Sequence, residues 1–295
     1  MLKIRRKIGI LKMVLKATVK DFRSNWKHQS FLSVGDSEQK YATLRMYAHM
    51  LDKALNNPSF EKGHSLAVYK DAKRISKDIE SFYKNDPAFA WVLKVVDAFE
   101  KAQETGAPNV EKRKPIDYTN EEQETITKFI RSRTSCRNFE KRQISEQTIK
   151  DIVSFAVDAP NGCCRQTARF YITQNQTKIS QLVPNIAGIT NFTNIQGLVA
   201  VCAESSFYAL KDKNLQYVDA SLSAENFILA AGMYGVYGTM CNFFHASPKQ
   251  VESCKKILSI KETENIVMFI ALGYPVYIPE KPIRRELDCF CKIVE

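Results

Sequence analysis

The feature that most limits the possible folds is a change of hydrophobic period near residue 105. Before it, apolar residues recur only at helical spacing. Ile4, Ile8, Leu11, Leu15, Val19 and Phe22 make one stripe. Tyr41, Leu44, Ala48, Leu51 and Leu55 make a second, ended by Asn56-Asn57-Pro58, and Tyr69, Ala72, Ile75, Ile79 and Phe82 a third. Asp86-Pro87 then offers an N-cap and a first-turn proline for a fourth helix. After the change, short apolar runs alternate with helical patterns. Arg169–Gln174, Gly197–Glu204 and Asn265–Pro275 read as strands, and Asp219–Met233 as a long helix of small residues. Helix starts are expected at Thr119, with Glu121 and Glu122 behind it, and at Ser145, with Thr148 behind it. Between the two regimes, Glu104–Tyr118 carries a glycine, two prolines and a charge cluster without any period. The chain is therefore expected to be α+β. It divides into a helical N-terminal extension over 1–105, a linker over 106–118 and a second domain over 119–295.

Composition narrows the setting. No apolar run reaches the roughly 18 residues that a spanning helix needs. The N-terminus has no continuous apolar stretch before a cleavage-type site, so a secretory leader is not expected. None of the eight cysteines forms a Cys-x-x-Cys pair and the four histidines are scattered, so no metal site is expected. Several cysteines sit in apolar stretches, which suits a reducing, cytoplasmic setting. The net charge of +11 is concentrated at one end: residues 1–30 hold nine Lys or Arg against one acid, Asp21.

The stretch Arg133-Thr134-Ser135-Cys136-Arg137 puts two guanidiniums and two hydroxyls where a helix gives way to a turn. Such groups can converge on one phosphate. A solvated basic loop is the plain alternative. Three further stretches follow. Ala159-Pro160-Asn161-Gly162 is a tight turn leading into a strand, Asp219–Thr239 is a helix followed by Gly235 and Gly238, and Leu272-Gly273-Tyr274-Pro275 is followed by Arg284-Arg285.

These four stretches, in this order, resemble the motifs of the nitroreductase family of FMN-dependent oxidoreductases. Arg133, Ser135, Arg137 and Phe139 match the first, Arg-x-Ser-x-(Arg/Lys) plus an aromatic. Ala159 through Phe170 match the second, with Cys164 in place of the family's asparagine and Thr167-Ala168 in place of its Pro-Trp. Asp219, Asn226, Leu229, Ala230 and Ala231 match the third, and Leu272 to Pro275 the fourth. The resemblance covers about 180 residues. It implies a mixed sheet flanked by helices, in a homodimer with FMN at the subunit interface. It also implies that Arg133, Thr134 and Ser135 hold the phosphate with help from Arg284 or Arg285, and that Arg137 lies toward the flavin's N1 edge. Pro160, Asn161, Gly162, Cys164 and Gln166 would reach the flavin of the other subunit, and backbone around Gly238 and Thr239 would face the ring. NADH or NADPH would be the donor and a small molecule, such as a nitroaromatic or quinone, the acceptor. No side chain is singled out as catalytic, because the flavin carries the redox chemistry. The two departures keep a second reading open, a flavin-binding or degenerate scaffold that works by interaction without turnover.

The extension invites its own readings. Its basic first helix can dock on the rest of the protein, or lie on an anionic membrane surface at the inner face. No recognised module accompanies it that would make nucleic acid a partner. His49–Ser65 resembles a stretch of extended nitroreductase-like proteins that accompany bacterial surface-polysaccharide genes, with Asp52 and Ala54 replacing the pattern's Glu and Gly. That likeness implies a role in surface-polysaccharide biosynthesis and makes His49 and Lys53 candidate site residues; the plain alternative is an exposed polar face.

Overall fold

A computed structural model of the chain describes residues 36–294 and nine isolated positions between 8 and 26. Those nine positions are helical. The apolar ones, including Leu11, Leu15, Phe22 and Trp26, are exposed, so docking of this stripe is not seen among the described positions. Ile4 lies outside the described residues.

Three helices follow: α1 (Ser37–Leu55), α2 (Leu66–Tyr83) and α3 (Pro87–Thr105). Local chemistry sets their ends. Asp36 caps α1 by accepting from Gln39 N at 2.7 Å, and Asp86 caps α3 by accepting from Ala88 N at 2.8 Å. Gly106, at φ +85°, closes α3 in a left-handed conformation. The stripes read from the sequence become one core in which Leu44, Leu51, Ile79, Phe89 and Phe99 are fully buried. Residues 107–119 hold no helix or strand. A capping box between Thr119 and Glu122 then opens α4 (Asn120–Ser132).

The remainder interleaves α5 (Glu146–Ala156), β1 (Ala168–Thr173), α6 (Gln176–Leu182), β2 (Gly197–Glu204), α7 (Leu215–Met233), β3 (Tyr237–Asn242), α8 (Pro248–Leu258) and β4 (Glu264–Gly273). The sheet order is β1-β2-β4-β3, with every neighbouring pair antiparallel. Parallel pairing enters through the segment after α4, where Ser135 bridges Gly238. Alternation along β2 splits the interior in two. Leu198, Ala200 and Cys202 join a core with Phe139, Leu182, Cys254 and Phe269. Val199, Val201 and Ala203 join another with Ile152, Ala220 and Phe227. All eight residues of β2 are buried, which explains its unbroken apolar run.

The expected α+β architecture is observed. Three elements had no expectation behind them: α6, α8 and β3. Gly238, read only as following the long helix, lies inside β3. Its glycine is required by close packing, since a Cβ there would sit 2.5 Å from the Ala271 carbonyl oxygen.

Candidate active site

The first motif runs along the outer edge of β3. Arg133 is the C-cap of α4, and the chain after it leaves the helix in extended form. Cys136 N donates to Gly238 O at 3.4 Å, and Thr239 Oγ1 donates to Cys136 O at 2.7 Å. Gly238 and Thr239 thus lie beside Arg133, Thr134 and Ser135, as the rail that holds their segment. Thr134 is buried while Arg133 and Ser135 are half-buried; Arg133 and Thr134 line a cleft between α4 and α7 that also touches Gly232, Tyr237 and Gly238. Arg137 is exposed, its guanidinium 6.0 Å from the Phe192 ring centre. Both arginine charges act on Cys136: burial pushes that thiol up, and Arg137 and Arg133 pull it back. Burial also pushes Cys241 up to about 11, opposed by the Ala271 backbone and Arg137. Among the described residues, the side chains of Arg133, Ser135 and Arg137 make no ion pair and no hydrogen bond to protein.

The second motif forms a turn before β1. Left-handed backbone appears at Cys163, Cys164 and Gln166, with φ of 56°, 55° and 54°, and none of the three is a glycine. Such residues are strained and need support from their surroundings. The support is dense. Gly162 N donates to Asp219 Oδ1 at 2.9 Å, and Gln166 N donates to Asn161 Oδ1 at 3.0 Å. Arg165 is buried and donates to Gly162 O at 3.0 Å and to Asp212 Oδ2 at 3.1 Å. Tyr208 OH donates to Asp219 Oδ2 at 2.6 Å and also pairs with Thr167 Oγ1. Burial and then the Asp219 carboxylate push the Tyr208 phenol well above its ordinary value, so it stays a neutral donor. The sequence departures are absorbed here: Thr167 is fully buried in the network, and Cys164 Sγ accepts from Gln166 Nε2 at 3.7 Å. Pro160 is exposed.

The two motifs lie far apart in one chain. Ala168, after the turn, pairs with Ala203, which pairs with Asn265; Gly238, beside the clamp, pairs with Leu272. They occupy diagonally opposite corners of the sheet. Along α7 the turn sits at Asp219 and the clamp's cleft at Gly232, a separation of about 20 Å at 1.5 Å per residue. Arg284 and Arg285 lie on an exposed segment after Pro275. That segment approaches the clamp where Lys281 Nζ donates to Arg131 O at 2.9 Å, but no described contact joins either arginine to Arg133 or Ser135.

Sequence reading missed the residues that join the extension to this domain. Arg45 Nη2 donates to Arg165 O at 2.8 Å. Glu38 pairs with Arg169 at 3.2 Å and Lys261 at 2.8 Å. Burial alone raises the Glu38 carboxyl, but the hydrogen bonds and charges of Lys261 and Arg169 outweigh it and hold the group below its ordinary value. The available signal was a basic residue, Arg45, set among the apolar positions Tyr41, Leu44 and Ala48.

Comparison with known proteins fits this geometry. Residues 130–204 and 190–274 match the model of the Nitroreductase family. Over residues 130–274 the chain matches a nitroreductase-family domain. A protein of Archaeoglobus fulgidus named "Putative NADH dehydrogenase/NAD(P)H nitroreductase" is 27% identical over 154 residues, 52% of this chain and 86% of its own. A protein of the same name from Methanothermobacter thermautotrophicus is 26% identical over 165 residues, covering 55% of this chain and 82% of its own. The solved nitroreductase-like protein of Streptococcus mutans superposes with a TM-score of 0.52 at 16% identity, covering 59% of this chain and all of that one. A solved structure from Parabacteroides distasonis gives 0.51 at 18%, over 57% and 97% of the two chains. The family match begins at Ile130, so the nitroreductase domain contains the clamp, the turn and all four strands, while α1–α3 lie outside the match.

Proposed function

We propose that this chain is an FMN-dependent oxidoreductase that works as a homodimer, with NADH or NADPH as donor and a small molecule as acceptor. The observation that carries the reading is the clamp of Arg133, Ser135 and Arg137, two cations and a hydroxyl that make no ion pair or hydrogen bond among the described residues, on a strand edge pinned through its backbone. That donor set fits a phosphate ester, because guanidinium and hydroxyl donors match its oxygens. The relatives' names support the donor and the redox class. When bound, FMN would supply the chemistry, taking a hydride from the nicotinamide and passing electrons on. The chain's part is to bind and orient. Arg133 and Ser135 hold the phosphate, and Arg137 presents a fixed positive charge further along the same segment. Because Pro160, Asn161, Gly162, Cys164 and Gln166 sit at the opposite corner, they serve the site of a second copy.

Exposed apolar surface supports the dimer. No residue of α4 is buried, and Ile130 of α4 and Val218, Leu222 and Met233 of α7 are exposed. The same reading extends to surface-polysaccharide biosynthesis through the His49–Ser65 likeness; His49 is half-buried and Lys53 exposed, one turn apart on α1. It also places residues 1–30 at an anionic membrane surface, supported by their charge and by exposed Leu11, Leu15, Phe22 and Trp26. Among the described residues no helix is long and apolar enough to cross a membrane.

The test is direct. Purified protein should be yellow, should be bleached by NADH or NADPH without oxygen, and should scatter light as twice 33.7 kDa. Colourless protein that ignores added FMN would defeat the proposal. A monomer holding stoichiometric FMN would defeat the shared site.

A further inference from the structure

The helical extension meets the domain at Ser206 and Lys261, but its most extensive contact falls on one sensitive place. α1 runs along the second motif. Glu38 meets Arg169, and seven residues on Arg45 meets the Arg165 carbonyl, so the helix passes the strained turn from its strand end toward Cys164. Arg45 and Arg165 are each about 95% buried, at 5% exposure. Among the described residues Arg45 has no carboxylate partner. Its guanidinium lies 4.2 Å from the centre of the Tyr41 ring, and its Nε has no hydrogen-bond partner. A buried cation that meets a tyrosine and one carbonyl but, among the described residues, no carboxylate is costly. An aliphatic residue would complete the bundle's stripe at lower cost. Rules of core packing are broken in this way chiefly where function requires it.

We propose that Arg45 is a positioning residue: by holding the Arg165 carbonyl it locks the Asn161–Gln166 turn in its left-handed conformation, making the extension a working part of the redox site. Arg165 is the hinge of this arrangement. Its side chain ties Gly162 to Asp212 from within the nitroreductase domain, and its carbonyl is the point gripped from the extension. Loss of Arg45 releases that grip while leaving the phosphate clamp intact. The part of this inference that concerns flavin rests on the function proposed above; the hold on the turn does not.

The experiment uses the full-length protein as Arg45→Met, with Arg45→Lys as the conservative partner. The first readout needs no flavin. Alkylation of the half-buried Cys164, followed by mass spectrometry, is compared with that of the exposed Cys163, Cys289 and Cys291 in the same sample. Losing a charge-assisted hydrogen bond should open the turn roughly tenfold more often and raise Cys164 labelling by about that factor. Arg45→Lys, which keeps a charged donor, should recover part of the difference. The second readout is the visible spectrum of protein saturated with FMN. Arg45→Met should keep its FMN stoichiometry but show a shifted flavin band. Unchanged relative labelling in Arg45→Met overturns the proposal. Faster labelling with an unchanged flavin band overturns the link to the site. Should Arg45→Met not fold, Arg45→Lys carries the test, and unchanged labelling in it overturns the hold. Wild-type protein that binds no FMN would defeat the proposed function while leaving the labelling result to decide Arg45's role.

Discussion

At the β3 edge, Arg133, Ser135 and Arg137 project from a segment pinned through its backbone, and their side chains make no hydrogen bond or ion pair among the described residues. At the β1 corner the reverse holds. There Asn161, Gly162, Arg165, Gln166 and Thr167 are engaged by Asp219, Asp212, Tyr208, Arg45 or one another, and little is left to engage a ligand except shape. The first region resembles a socket awaiting charge. The second is a finished surface, preorganised at the cost of backbone strain. The contrast teaches where mutations should act. Damage to the clamp should cost ligand, and damage to the turn should cost stability.

The largest effect is expected at Asp219. Asp219→Ala removes the acceptor of both Gly162 N–H and Tyr208 O–H inside the protein, which should destabilise it by about 2–4 kcal/mol. Urea unfolding measures this, and a loss below about 0.5 kcal/mol would break the contrast. Next is Arg133→Ala. Stability should move by less than about 0.5 kcal/mol, while FMN affinity should fall by roughly tenfold to a few hundredfold. Titration of stripped protein, followed by flavin fluorescence, separates the two quantities. Arg137→Ala should act more on potential than on affinity. A fixed cation favours the reduced flavin, so the potential should drop by about 30 mV, equivalent to about 1.4 kcal/mol for two electrons. An unchanged potential with lost binding would assign both arginines to the phosphate.

The smallest effect tests the join between extension and domain. Glu38→Gln should cost roughly 0.5–1 kcal/mol at neutral pH, since the network is partly exposed. Because the Glu38 carboxyl is held below its ordinary value in the folded state, its contribution is present above the unfolded value and is lost as pH falls through the folded one. The difference between wild type and Glu38→Gln should therefore vanish in acid, as followed by unfolding at several pH values.

Much of this arrangement was legible in the chain. Helix starts at Asp36, Asp86, Thr119 and Ser145 use local side-chain bonds, and the capped patterns at Asp86, Thr119 and Ser145 were readable as such. β2 was readable because burial on both faces leaves seven successive apolar or small positions before its end at Glu204. β3 was hidden because Gly238 answers to a neighbouring strand, which no local pattern reveals. The residues of the clamp stood out as a polar cluster. The braces of the turn did not: Arg45 and the Tyr208–Asp212 stretch come from two separate places in the chain, and only the fold joins them to Arg165 or Asp219.

The diagonal placement of clamp and turn has a genetic consequence. If each site takes its clamp from one copy and its turn from the other, an allele damaged at Arg133 and an allele damaged at Asp219 are defective in different halves of the same site. Co-expressed, they form mixed dimers in which one site receives both damaged halves and the other receives neither. Two inactive alleles should then complement, yet neither should be dominant over the wild type, because each damaged copy spoils one site of whichever dimer it joins.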